Sequence, residues 1–251
     1  MGAPYDATEV AALEDLLRRQ WLRLRTWLGE LDDAATTEPS VLDGWTVGDL
    51  VAHLGRAMDA LAAVQPTPEG TVPLSLAEYL GGYARSADEI AQTTRELAAQ
   101  IAQDPLTAVD RRVEAAFAQL TALREAGPDP VVQARRGPIH LSEMLLSRLL
   151  ELVVHADDLV RSTTLGGEGA DDEPGRGTSP LDPDAVHVSA RTLLEIAVDR
   201  GGWSLEVADE MAWVRLASGR TDLTPDTAAR ALRPTYTSDS LPDLGTALPL
   251  L

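Results

Sequence analysis

The stretch Met144–Val160 is the most apolar in the chain, and a series of polar residues interrupts it at regular intervals: Ser147, Arg148, Glu151, His155 and Asp158, continued by Ser162. Wound as a helix, it carries those groups on one stripe, while Leu149, Leu150, Leu152, Val153, Leu159 and Val160 cover its other faces. A rod of this kind packs among other helices, with its polar stripe facing either water or a site between facing helices.

The rest of the chain offers partners of the same type. Asp6 to Asp33 opens on an Asp-x-x-Glu cap and spaces Val10, Leu13, Leu17, Trp21, Leu24 and Leu28 as a helix does. Thr46 to Val64 forms a second helix, opened by Thr46 and Asp49 and stopped by Pro66, Pro68 and Gly70. The capping box Ser75-Leu-Ala-Glu78 begins a long helix to about Gln103, and a further one follows Asp104-Pro105 to Ala126. After the breakers Gly127, Pro128, Pro130 and Gly137-Pro138 comes the Ser142–Thr163 helix with the polar stripe. The expected fold is mainly α, an antiparallel four-helix bundle over residues 1–164. Residues 165–183 read as a flexible acidic linker, and 184–251 as a small C-terminal α/β unit. That unit holds a helix from Asp184 to Arg200, a strand over Trp203–Asp209 and a short helix from the Thr224 cap to about Arg233.

Glu151 and His155 stand one helical turn apart, so both can reach one ion. His53, one turn beyond Asp49 in the second helix, is the candidate third ligand. Two imidazoles and a carboxylate are the protein ligands of several catalytic zinc sites, which keep a position open for water or substrate. The plainer alternatives are a stripe that faces water and a histidine satisfied within the core.

Composition narrows the partners. With 21 basic residues against 40 acidic ones, a net charge of -19, binding to nucleic acid or to an anionic membrane is not expected, and small molecules are. There is no cysteine, so any thiol in the chemistry arrives on a ligand. The first residues have neither a basic start nor an apolar core, and no apolar run is long enough to span a bilayer, so a cytoplasmic protein is expected, as monomer or homodimer. Every basic residue is arginine and asparagine is absent, which fits a GC-rich bacterial genome.

Three segments carry a family likeness: Leu42-Asp-Gly-Trp-Thr-Val-Gly-Asp-Leu-Val-Ala-His-Leu54, Ser147-Arg-Leu-Leu-Glu-Leu-Val-Val-His-Ala-Asp-Asp-Leu159 and Trp213-Val-Arg-Leu-Ala-Ser-Gly-Arg220. Together they resemble the mycothiol-dependent maleylpyruvate isomerase family of the DinB-like superfamily. The resemblance implies a bundle that holds a divalent metal, usually zinc, on His53, Glu151 and His155, and it implies catalytic or binding support from Asp158, Arg220 and Arg85. Trp45 and Trp213 are then candidates for pocket walls, and the metal and arginines would favour anionic substrates at the site. The expected activity is a mycothiol S-transferase or thiol-dependent cis-trans isomerase of actinobacterial type, in which mycothiol reacts as a thiolate with a small electrophile. A hydrolase using metal-bound water, and a bundle that binds a small molecule without turnover, are the alternatives.

Overall fold

The computed structural model of the chain describes residues 5–83, 86–165, 179–236 and 240–251. Helix α1 (Ala7–Leu28) starts where the Asp6 carboxylate accepts the Thr8 and Glu9 N–H groups and Glu9 returns a bond to the Asp6 N–H. The same reciprocal cap opens α2 (Val47–Ala62), between Thr46 and Asp49, and α3 (Leu76–Leu80), between Ser75 and Glu78. These local bonds satisfy backbone donors that no helical carbonyl can reach, which is why sequence spacing finds the helix starts.

The single long helix expected from Ser75 to Gln103 is instead two. α3 ends after one turn at Gly81, whose N–H returns to Ala77, and α4 (Ala87–Ile101) begins anew. The Gly81-Gly82 pair makes the break: a Cβ on Gly82 would lie 3.1 Å from Arg136 Cδ, so that long side chain occupies the space a larger residue would need. α5 (Pro105–Leu123) follows the Asp104 cap, with proline at its first position.

Segments beside the breakers Pro66, Pro130 and Gly137-Pro138, where no strand is expected, form a small sheet. β1 (Gln65–Pro66), β2 (Val131–Ala134) and β3 (Gly137–His140) pair antiparallel in that order, with Ala134 opposite Gly137 and Val131 opposite His140. β3 feeds directly into α6 (Leu141–Leu165), whose first turn is tied down by Asp129, its carboxylate accepting both the Ser142 N–H and hydroxyl at 2.8 Å.

Side-chain pairs give the helix directions. Glu14–Arg124 and Arg25–Asp110 set α1 against α5 in opposite senses, and His53–Glu151 with Ala57–Arg148 do the same for α2 and α6. Asp59–Arg112 and Val64–Gln119 run in one sense, so α2 and α5 are parallel, a direction that the long connection through α3 and α4 permits. α4 packs along the outside of α2.

The C-terminal elements are α7 (Pro183–Gly201), β4 (Leu205–Val207), α8 (Glu210–Ala217), α9 (Pro225–Ala231) and β5 (Leu232–Pro234), with β4 and β5 antiparallel. The strand is shorter than expected, α8 lies in a stretch given no structure by the sequence reading, and the helix after Thr224 stops at Ala231 because Leu232 turns extended to pair with β4. The core is continuous: Gln20 of α1, fully buried, donates to the Pro180 carbonyl and accepts from the Asp182 N–H, docking the start of α7 on the bundle. Most of the expected linker, residues 166–178, lies outside the described residues. No helix among the described residues is long and apolar enough to cross a membrane.

Candidate metal centre

α6 places Glu151, His155 and Asp158 on one face by its own period, and α2 brings His53 opposite them. One carboxylate oxygen, Glu151 Oε2, lies 3.1 Å from His53 Nε2 and 3.3 Å from His155 Nε2. The two rings stand edge to face, with centroids 4.5 Å apart. One ligand atom from each residue falls within 4.8 Å of the others, the grouping that a single cation requires.

The far side of each ring is fixed as well. His155 Nδ1 is 3.0 Å from Asp158 Oδ2, and His53 Nδ1 is 3.4 Å from Thr94 Oγ1. A carboxylate only accepts, so Asp158 takes a hydrogen from His155 Nδ1 and orients the ring with Nε2 turned inward; the Thr94 hydroxyl orients His53 more weakly. With the hydrogens they share with Glu151 given up, two inward Nε2 atoms beside one carboxylate are a donor set of nitrogen and oxygen that fits a divalent cation such as zinc.

Electrostatics supports that arrangement. Burial works against ionisation of Glu151, but hydrogen bonds from His155 and His53 and the charge of Arg148 outweigh it and hold the carboxyl well below the ordinary value. Burial and the neighbouring His155 push His53 down. For His155, burial is outweighed by hydrogen bonds to Asp158 and Glu151, which raise it. Asp158 stays low despite burial because His155 and Arg220 face it.

Arg220 reaches Asp158 through Nη2 at 3.1 Å and Nε at 3.2 Å, with Nη1 on the Ser218 carbonyl. The Ala217-Ser-Gly-Arg220 segment explains its aim: α8 ends, Gly219 takes a positive φ of 71°, and the Arg220 N–H returns to the Arg215 carbonyl. The turn points the guanidinium back at α6. Next to it, Arg215 grips Asp157 at 2.6 Å, so two arginine–aspartate pairs clamp the C-terminal unit to the bundle.

Trp45 packs edge-on against His53, centroids 5.3 Å apart, and lines a cavity beside the centre. Trp213 does not wall the pocket: it is fully buried in the C-terminal unit, its indole N–H donating to the Ala190 carbonyl. Arg85 lies outside the described residues.

Three contributors were not assigned a role by sequence reasoning. Arg148, 3% exposed, donates to the Ala57 carbonyl, to Ser147 and to the Tyr83 hydroxyl, with Nη2 4.0 Å from Glu151. Tyr83 is pushed up by burial and keeps its proton. Thr94 had a signal, a hydroxyl between Ile90 and Leu97 on the apolar side of α4; Tyr83, in a turn after two glycines, had none.

Two cavities open on the centre. One, of about 690 Å³, runs between α2, α4 and the β2–β3 hairpin; the other, of about 410 Å³, lies under Trp45, Leu80 and Leu150.

The sequence profile of the mycothiol maleylpyruvate isomerase N-terminal domain matches residues 17–160. Among solved structures, the crystal structure of the mycothiol-dependent maleylpyruvate isomerase is similar, at 19% identity and TM-score 0.47, covering 93% of this chain and 95% of that one. A histidine-to-alanine mutant of that protein matches with the same values. No curated protein matches the chain.

Proposed function

Because the chain belongs to the mycothiol maleylpyruvate isomerase family, we propose that it is a mycothiol-dependent enzyme that joins the thiol, transiently or for good, to a small electrophile at the His53, Glu151 and His155 centre. The observation that carries the proposal is the convergence of three ligand atoms whose rings are oriented from behind. A divalent cation held there would supply deprotonation of a thiol that is otherwise mostly protonated at neutral pH, about 8.5 being its ordinary pKa.

The chain's own residues do the remaining work. Asp158 fixes His155, and Arg220, neutralising Asp158, keeps one N–H on Nη1 and one on Nη2 for a ligand in the adjoining cavity. In the proposal Arg85 binds hydroxyl groups of the thiol and Trp45 walls the pocket. The Tyr83 oxygen accepts from Arg148, leaving its own O–H to donate to a carbonyl or similar acceptor on the electrophile as charge builds there. Return of the same thiol after rotation about a carbon–carbon bond gives isomerisation; retention gives transfer. The segment from about residue 184 is proposed as a small second domain, packed on the bundle, that contributes Arg220 and Leu251 to the site.

Cobalt-substituted protein tests this reading. Added mycothiol should produce a sulfur-to-metal charge-transfer band, and the S-methylated thiol should not. An unchanged spectrum, together with hydrolysis of an ester or amide in the absence of thiol, would replace the reading with a water-based one.

A further inference from the structure

Among the described residues, the two cavities share His53, Tyr83, Ile90 and Glu151 as walls. They meet at the centre, so a sulfur brought in from one side faces a carbon brought in from the other. Their linings differ in kind. The larger presents Arg56, Asp59, Glu96, Gln100, Arg112 and Gln133, donors interleaved with acceptors. The smaller presents mainly Leu42, Trp45, Leu80, Leu150, Val154 and Leu251, with Asp88, Ser147, His155 and Arg220 among them.

We propose that the reactants are divided accordingly: the larger cavity takes the sugar and cyclitol rings of the thiol, and the smaller takes an uncharged, apolar carbon electrophile. The division rests on the thiol reading of the centre given above. Hydroxyl groups both donate and accept, and the mixed lining of the larger cavity suits them at every orientation. A carboxylate entering the smaller cavity would shed water against hydrocarbon and approach Asp88. The arginine there, Arg220, already spends its charge on Asp158. An aromatic or alkyl group in the same space gains by leaving water. Maleylpyruvate, the compound in the family's name, is an acid anion, so this chain would differ from that enzyme in substrate class.

The chemistry needs no other reactant. The thiol proton goes to solvent, the carbon–sulfur bond forms as the alkene π pair moves to the neighbouring carbon, and that carbon takes a proton, giving a thioether. For a cis-trans change the pair on the neighbouring carbon, freed again if that carbon has taken a proton, re-forms the alkene after rotation, and the carbon–sulfur pair leaves with the sulfur as thiolate.

Calorimetric titration of the metal-loaded protein tests the division with two matched probes, benzylideneacetone and cinnamate, which differ in a methyl ketone against a carboxylate. Benzylideneacetone should bind about 10-fold more tightly or better. α4 borders both cavities, through Ala91 on the apolar one and Thr93 on the polar one. Ala91→Phe should weaken benzylideneacetone about 10-fold and leave mycothiol within about 2-fold, and Thr93→Phe should do the reverse. Both positions are only partly buried on a helix, so the fold should survive either change. Tighter binding of cinnamate, or equal loss of both ligands in each variant, overturns the division while the thiol reading stands. If mycothiol does not bind the wild-type protein at all, the thiol reading falls and takes the division with it.

Discussion

Asp158 Oδ2 stands 3.0 Å from His155 Nδ1, and the aspartate has no exposed surface of its own. A buried carboxylate in contact with an imidazole on one side and the Arg220 guanidinium on the other links the position of the C-terminal unit to the orientation of a candidate metal ligand. Asp158→Asn preserves the shape but removes the charge that both neighbours face. Metal affinity should fall roughly 10- to 100-fold and turnover with it, while far-ultraviolet circular dichroism stays unchanged. Wild-type affinity in a competition titration against a chelating dye would return Asp158 to a purely structural role.

Metal content should be near-stoichiometric in the native protein and close to absent in His155→Ala. Extraction with a chelator should leave the helical signal intact, because the apolar core that joins the helices includes none of the three ligand residues. The check is elemental analysis beside a thermal melt; unfolding on chelation would show that the cation holds the fold.

Acid should weaken metal binding. In the metal-free protein burial lowers His155, but hydrogen bonds to Asp158 and Glu151 outweigh it and hold it above its ordinary value of 6.5, so a proton competes with the cation for Nε2 over a wider range of pH. The metal-free state therefore binds more protons, and affinity rises with pH until the raised His155 value is passed, then levels. Affinities measured across the range should show this rise, and a flat profile would mean that His155 is not a ligand.

Arg148→Met should destabilise the protein by about 3 kcal/mol, as removal of one member of a buried charged network does. It would strand the Tyr83 hydroxyl and take the nearest cation from Glu151. The midpoint of urea unfolding should drop with an unchanged slope. Metal affinity measured in parallel separates the structural loss from any effect on Glu151.

Much of this architecture is written locally. Caps at Asp6, Thr46 and Ser75 satisfy donors within three residues, and apolar spacing within one helix reports which side is buried, so α1, α2, α6 and α7 are legible as sequence. The 3.6-residue period likewise puts Glu151, His155 and Asp158 on one face whatever the rest of the chain does.

Other features depend on residues far apart in the chain. The close approach of Arg136 to Gly82 joins residues 54 positions apart, and the β2–β3 hairpin is too short for alternation to announce it. The parallel run of α2 and α5, the burial of Trp213 away from the pocket and the Arg148–Tyr83–Ala57 contacts are decided by packing across long separations. So is the meeting of His53 with Glu151, 98 positions apart, and of Arg220 with Asp158, 62 apart. Sequence periodicity states which face of a helix is buried; which neighbour covers it is chosen only when all the apolar faces close on one another.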